Sequence, residues 1–120
     1  MDILLIEPGK PPVSAVIDNT LSAMQAVVGG LIQAIYPFDE PVALVCNEEG
    51  KLLPLLPNRT LRHPETGQIY DVIYGTFFLC SAPPDSENFE SRSPEQIDRY
   101  TSHFKFPEFF PGISLSLEVN

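Results

Sequence analysis

Basic residues are scarce in this chain of 120 residues: seven Lys and Arg stand against 16 Asp and Glu, for a net charge of −9. A phosphate backbone would meet a repelling field, so direct nucleic-acid binding without sequence preference is not expected. The acidic residues are spread along the chain, which favours solubility and marks no single binding face. Histidine occurs twice, as His63 and His103, and cysteine twice, as Cys46 and Cys80. No CxxC, Cys/His ligand spacing or H-E-x-x-H is present, so no metal site is expected. The sequence also lacks G-x-S-x-G, a Walker loop and G-x-G-x-x-G, and with them any sign of a nucleophile elbow, a nucleotide cradle or a bound cofactor. Nothing in it argues for an enzyme. Long apolar runs are missing too. The opening MDILLIEPG is acidic at position 2 and broken by Pro8, which fits neither a signal peptide nor a spanning helix. A cytoplasmic protein with no membrane partner is the expectation.

What is present suits one ordinary core: 43% of residues are hydrophobic, within the usual size range of a single domain. Ile3 to Ile6, ended by Glu7-Pro8-Gly9, and Val13, Ala15 and Ile17 read as two strands near the start. Asp18, Asn19 and Thr20 offer N-cap oxygens for a helix with Leu21, Met24, Val27 and Val28 on its apolar face, closed by Gly29-Gly30. Leu31 to Tyr36 alternates as a third strand, stopped by Pro37. Val42 to Cys46 is a buried strand, and Asn47-Glu48-Glu49-Gly50 reads as a hairpin turn leading into a brief return over Lys51 to Leu53. Pro54 and Pro57 consign Leu55 and Leu56 to a sheet edge or an irregular loop. Tyr70 to Cys80 is a central strand or a hairpin pivoting near Gly75. Ser93-Pro94-Glu95-Gln96 is a capping box with Pro at the first helical position, opening a second helix whose stripe is Ile97, Tyr100 and Phe104.

The resulting expectation is an α+β domain over residues 1–104, with a mainly antiparallel sheet and two short helices packed on one face. Residues 105–120, where Ile113, Leu115, Leu117 and Val119 alternate with smaller or polar residues, would form a C-terminal arm or edge strand and a contact for a homodimer. Cys46 and Cys80 sit inside the apolar runs ALVC and FFLC and read as reduced core thiols.

One polar constellation stands out: Asn47, Glu48, Glu49 and Lys51 around one turn, then Asn58, Arg59 and Arg62, then Tyr70 and Asp71. Amides and guanidinium forks are suited to holding a carboxylate, a phosphate or a backbone segment without chemistry. The competing reading is local. Asn47 and Asn58 would fix turns through side-chain to backbone hydrogen bonds, and Arg59 and Arg62 would pair with Glu48, Glu49 or Asp71.

At these residues the chain resembles a family of small, functionally unassigned domains encoded by phages, plasmids and conjugative elements of Gram-positive gut bacteria. The resemblance is carried by ILLIEPGKPP, by Tyr36-Pro37 with Asp39, by VALVCNEEGK, by LPNR from Leu56 to Arg59, by Tyr70 through Gly75-Thr76-Phe77, and by SPEQIDRY. It covers roughly residues 2 to 104 and places the family's recurring polar positions on Asn47, Glu48, Gly50, Lys51, Asn58 and Arg59. The doubled proline in LLPLLPN and the phenylalanine-rich tail depart from it. What the resemblance implies is context, a mobile element and the company of accessory proteins that blunt host defence; the expected function is that of an accessory protein acting by stoichiometric binding to a protein partner. The alternative is a small-ligand binder that captures a nucleotide or another anion through the Asn47, Asn58 and Arg59 region.

Overall fold

The computed structural model describes residues 1–110. Its centre is a five-stranded antiparallel sheet in the order β2-β1-β7-β4-β3. The strands are β1 (Asp2–Ile6), β2 (Val13–Val16), β3 (Ile32–Ile35), β4 (Val42–Asn47) and β7 (Phe77–Ser81). Two further strands, β5 (Pro57–Arg62) and β6 (Ile69–Tyr74), pair with each other as a separate antiparallel ribbon. Helix α1 (Leu21–Val28) precedes β3, and helix α2 (Pro94–His103) follows β7. The α+β architecture with a mainly antiparallel sheet is therefore the one expected.

β4 is buried at all six positions because it lies between β7 and β3 and is covered on both sides. Period-2 alternation divides its side chains, and those of β1 and β7, between two faces. Leu4, Ile6, Val42, Leu44, Phe77 and Leu79 share one face with Tyr100 of α2 and Phe104 just past its end, and Leu61 and Ile73 of the β5–β6 ribbon join them. Ile3, Ala43, Val45, Phe78 and Cys80 share the other with Met24 and Val28 of α1. The helices thus cover opposite faces, a correction to the expectation that both pack on one. The physical reason lies in the strands: a run such as VALVC is apolar on both sides, and each side needs its own cover.

Both helix starts are built as expected. The Thr20 hydroxyl accepts the Ala23 N–H at 3.1 Å. At α2 the box is complete, with the Gln96 N–H donating to Ser93 Oγ at 3.2 Å and the Ser93 N–H donating to Gln96 Oε1 at 2.7 Å.

Two turns differ from the sequence reading. After Asn47 the chain does not return as a strand but coils through reverse turns, with the Gly50 N–H on the Asn47 carbonyl at 3.2 Å and the Leu52 N–H on the Glu49 carbonyl at 2.9 Å. Gly50 does not have positive φ; it is small because a Cβ there would lie 3.0 Å from the Tyr74 carbonyl oxygen. Near Gly75 the chain neither runs straight nor folds back on itself. With φ at 81° it swings from the ribbon into the central sheet, so β6 and β7 belong to different sheets.

Cys46 and Cys80 are buried, free and on opposite faces of the sheet. Burial pushes their thiols up, to about 11 and about 12 respectively. Neither has the thiolate character that reactivity requires. Among the described residues no helix is long and apolar enough to cross a membrane. The alternating segment at Ile113, Leu115, Leu117 and Val119, and the dimer contact expected from it, lie outside the described residues.

Candidate functional site

The polar constellation divides three ways. Asn47 is buried and ties α1 to the following turn: its Nδ2 donates to the Val28 carbonyl at 3.2 Å and its Oδ1 accepts the Glu49 N–H at 2.8 Å. Glu48 and Glu49 are exposed. Lys51 forms an ion pair with Asp71, the carboxylate that the sequence offered to Arg59 or Arg62. Asn47, Glu48, Lys51 and Asp71 border a depression of about 120 Å³, room for a few waters.

Asn58 and Arg59 form the second part, inside the protein. Each is 1% exposed. Asn58 Nδ2 donates to the carbonyls of Ile6 at 2.9 Å and Gly75 at 2.8 Å, joining the ribbon to the central sheet. Arg59 uses its whole fork on neutral acceptors. Nε and Nη2 donate to the Phe104 carbonyl at 3.2 and 3.1 Å, Nη2 also to the Lys10 carbonyl at 2.6 Å, and Nη1 to Asn58 Oδ1 at 2.8 Å and the Asn58 carbonyl at 3.2 Å. Burial lowers the guanidinium's pKa, and nearby Glu108 works in the opposite sense. Glu108 itself accepts the Thr60 N–H at 2.9 Å and the Thr60 hydroxyl at 2.6 Å. Arg59 therefore clamps the β1–β2 turn, the end of α2 and β5 into one body.

Arg62 and Tyr70 form the third part, and these two face a groove of about 670 Å³. The ribbon supplies one wall. The Pro37–Glu40 segment between β3 and β4 and the outer turns of α2 supply the rest. An aromatic ladder runs up from the core beneath it: Phe77 to Phe104 at 5.6 Å, Phe104 to Phe38 at 6.1 Å and Phe38 to His103 at 5.5 Å, all edge to face, with Tyr100 tilted against Phe38 at 4.5 Å. On the ribbon wall Tyr70 packs against His63 at 4.7 Å.

The groove's charges are partly spent. Glu40 Oε2 takes Arg99, while its Oε1 is buried with no partner in hydrogen-bonding geometry. The Tyr100 hydroxyl is nonetheless near enough that Glu40 adds to the effect of burial, and the phenol is pushed above its ordinary range. Desolvation on the side packed against Phe38 and Phe104 lowers the His103 imidazole, although the side chain still meets solvent, and nearby Glu108 works in the opposite sense. Because the folded state holds His103 below its unfolded value, its contribution to stability is present above about pH 6.5 and fades as pH falls below that value. The His103→Gln variant is accordingly expected to lose less stability than the wild type between pH 7.5 and pH 5, as measured by urea unfolding. An unchanged difference between the two would show that the imidazole is not the group responsible.

Phe38, Glu40 and Arg99 were not singled out from the sequence, and His103 read there as a solvated residue on the polar side of the last helix. One signal for them existed: Arg99 and His103 are four apart on α2 and so share a helix face. Nothing local tied that face to Phe38 or Tyr70. Among the described residues no group of three or more His, Cys, Asp or Glu is placed to hold a metal ion.

Residues 1–105 match the model of a family described as "Domain of unknown function (DUF3846)". The chain belongs to that family, over nearly the same span that carried the resemblance noted above. No curated protein and no solved structure matches it.

Proposed function

We propose that this member of the DUF3846 family acts by stoichiometric binding of a protein partner, with the groove between the β5–β6 ribbon and α2 as the contact surface. The observation that carries this reading is the groove's make-up: exposed Tyr70 on one wall, Phe38 and His103 on the other, and an aromatic ladder beneath that ties its floor to the core. Aromatic side chains supply large contact area at low entropic cost, and a floor continuous with the core arrives already ordered. The resemblance to domains of phages, plasmids and conjugative elements supports a setting in a mobile element. It also supports a partner drawn from host defence. The acidic balance would speed encounter with a basic partner surface, a long-range effect separate from the groove's own contacts.

A small-ligand role for the same groove is favoured by its volume, which lies in the range of ordinary ligand pockets. The form of that idea centred on Asn47, Asn58 and Arg59 has less support, because their side chains are committed to internal hydrogen bonds.

The test compares capture from a lysate of a Gram-positive gut bacterium by the wild type and by Tyr70→Ala. Tyr70 is 47% exposed, so its truncation leaves the fold intact. A partner retained by the wild type and weakened about tenfold by the variant, an effect of roughly 1.4 kcal/mol, supports the proposal. A partner held equally by both places the interface elsewhere. A nucleotide that raises the melting temperature of the wild type but not of Tyr70→Ala would favour the small-ligand role instead.

A further inference from the structure

Resting on the groove reading above, we infer that the segment bound there is a peptide carrying an acidic side chain beside an aromatic one, with the carboxylate on Arg62 and the ring against Tyr70. Three ion pairs occur among the described residues, Lys10–Glu7, Lys51–Asp71 and Arg99–Glu40, and Arg62 is in none of them. The groove's other arginine, Arg99, is spent on Glu40, so Arg62 is the groove-lining arginine left without a carboxylate partner among the described residues.

Arg62 is also held in place. Its Nε donates to Thr60 Oγ1 at 3.3 Å and its Nη1 to the Gly67 carbonyl at 3.0 Å. Thr60 is in turn gripped by Glu108, so that acid holds Arg62's acceptor and makes no hydrogen bond to the guanidinium. Nη2 has no partner among the described residues. A guanidinium oriented by neutral acceptors, with one edge free, loses little freedom when it binds a carboxylate, and such charge-assisted bonds are about twice as strong as neutral ones.

The second half of the recognition lies beside it. The Tyr70 ring, backed by His63, forms a flat apolar face on the same wall, and Phe38 lies across the groove. Asp39 on the opposite wall has no ion pair among the described residues and sets the polarity: the acid of the peptide must lie on the ribbon side.

An array of short immobilised peptides tests this, with Asp or Glu near a Phe or Tyr in one set and Asn or Gln in its place in the other, probed with the full chain. The expected result is about a tenfold preference for the acidic set, erased in Arg62→Gln and increased in Asp39→Asn. Both positions are exposed, and thermal melts establish that the variants are folded. Equal binding of both sets, or a preference that survives Arg62→Gln, overturns the charge assignment. If binding is equal yet still lost in Tyr70→Ala, the groove reading stands and only the acidic partner falls. If no peptide binds in a Tyr70-dependent way, both fall.

Discussion

Arg59→Met is expected to destabilise the protein by about 3–5 kcal/mol, read from urea unfolding midpoints at constant m-value. The side chain is 1% exposed and makes five hydrogen bonds, four of them to backbone carbonyls. Methionine fills much of the same volume but donates nothing. The Phe104 carbonyl and the Asn58 acceptors then remain buried without the donors that now satisfy them, the part-buried Lys10 carbonyl loses its partner as well, and an unsatisfied buried acceptor costs about 1–3 kcal/mol. Arg59→Lys should recover only a minor part, because one ammonium cannot reach acceptors in the β1–β2 turn and at the end of α2 together. A loss below 1 kcal/mol for Arg59→Met would mean that the three segments hold together without the clamp.

Phe104→Ala comes next, at about 3–5 kcal/mol, within the range for truncating a buried phenylalanine. Phe104 is 3% exposed and joins the core ring of Phe77 to the groove ring of Phe38. Its removal empties the middle of the ladder and leaves a cavity beneath the candidate site. Its carbonyl also accepts two of the Arg59 bonds, so displacement of the helix end weakens the clamp as well. The double variant Arg59→Met, Phe104→Ala should therefore lose less than the sum of the two single losses, the pattern expected of residues sharing a partner. Strict additivity in the double-mutant cycle would show the ladder and the clamp to be independent.

These two residues show how far a linear reading reaches. Phe104 was legible as the last member of the stripe Ile97, Tyr100, Phe104, since helical spacing announces a buried face. Arg59 was legible only as a polar oddity after a proline pair. A guanidinium at a surface and one at the centre of a clamp look alike in sequence, because the difference lies in acceptors 45 and 49 residues away along the chain. Asn58 is the same case, its amide reaching back 52 residues to Ile6. Asn47 lies between the two. Its bond to the Glu49 N–H is local and was foreseen, while its bond to Val28 was not.

Local chemistry set the parts of this molecule. The capping box at Ser93 and Gln96, the strand-forming runs of β1, β4 and β7, and the prolines that end β3 and open β5 all act within a few residues, where the chain's own geometry limits the choices. Assembly settled everything that depends on which parts meet: the helices on opposite faces, the ribbon held apart from the main sheet, and a groove whose walls come from residues near 38, 62, 70 and 103. Such pairings are chosen by the total burial and hydrogen bonding of the folded whole, and no short stretch of sequence contains that sum.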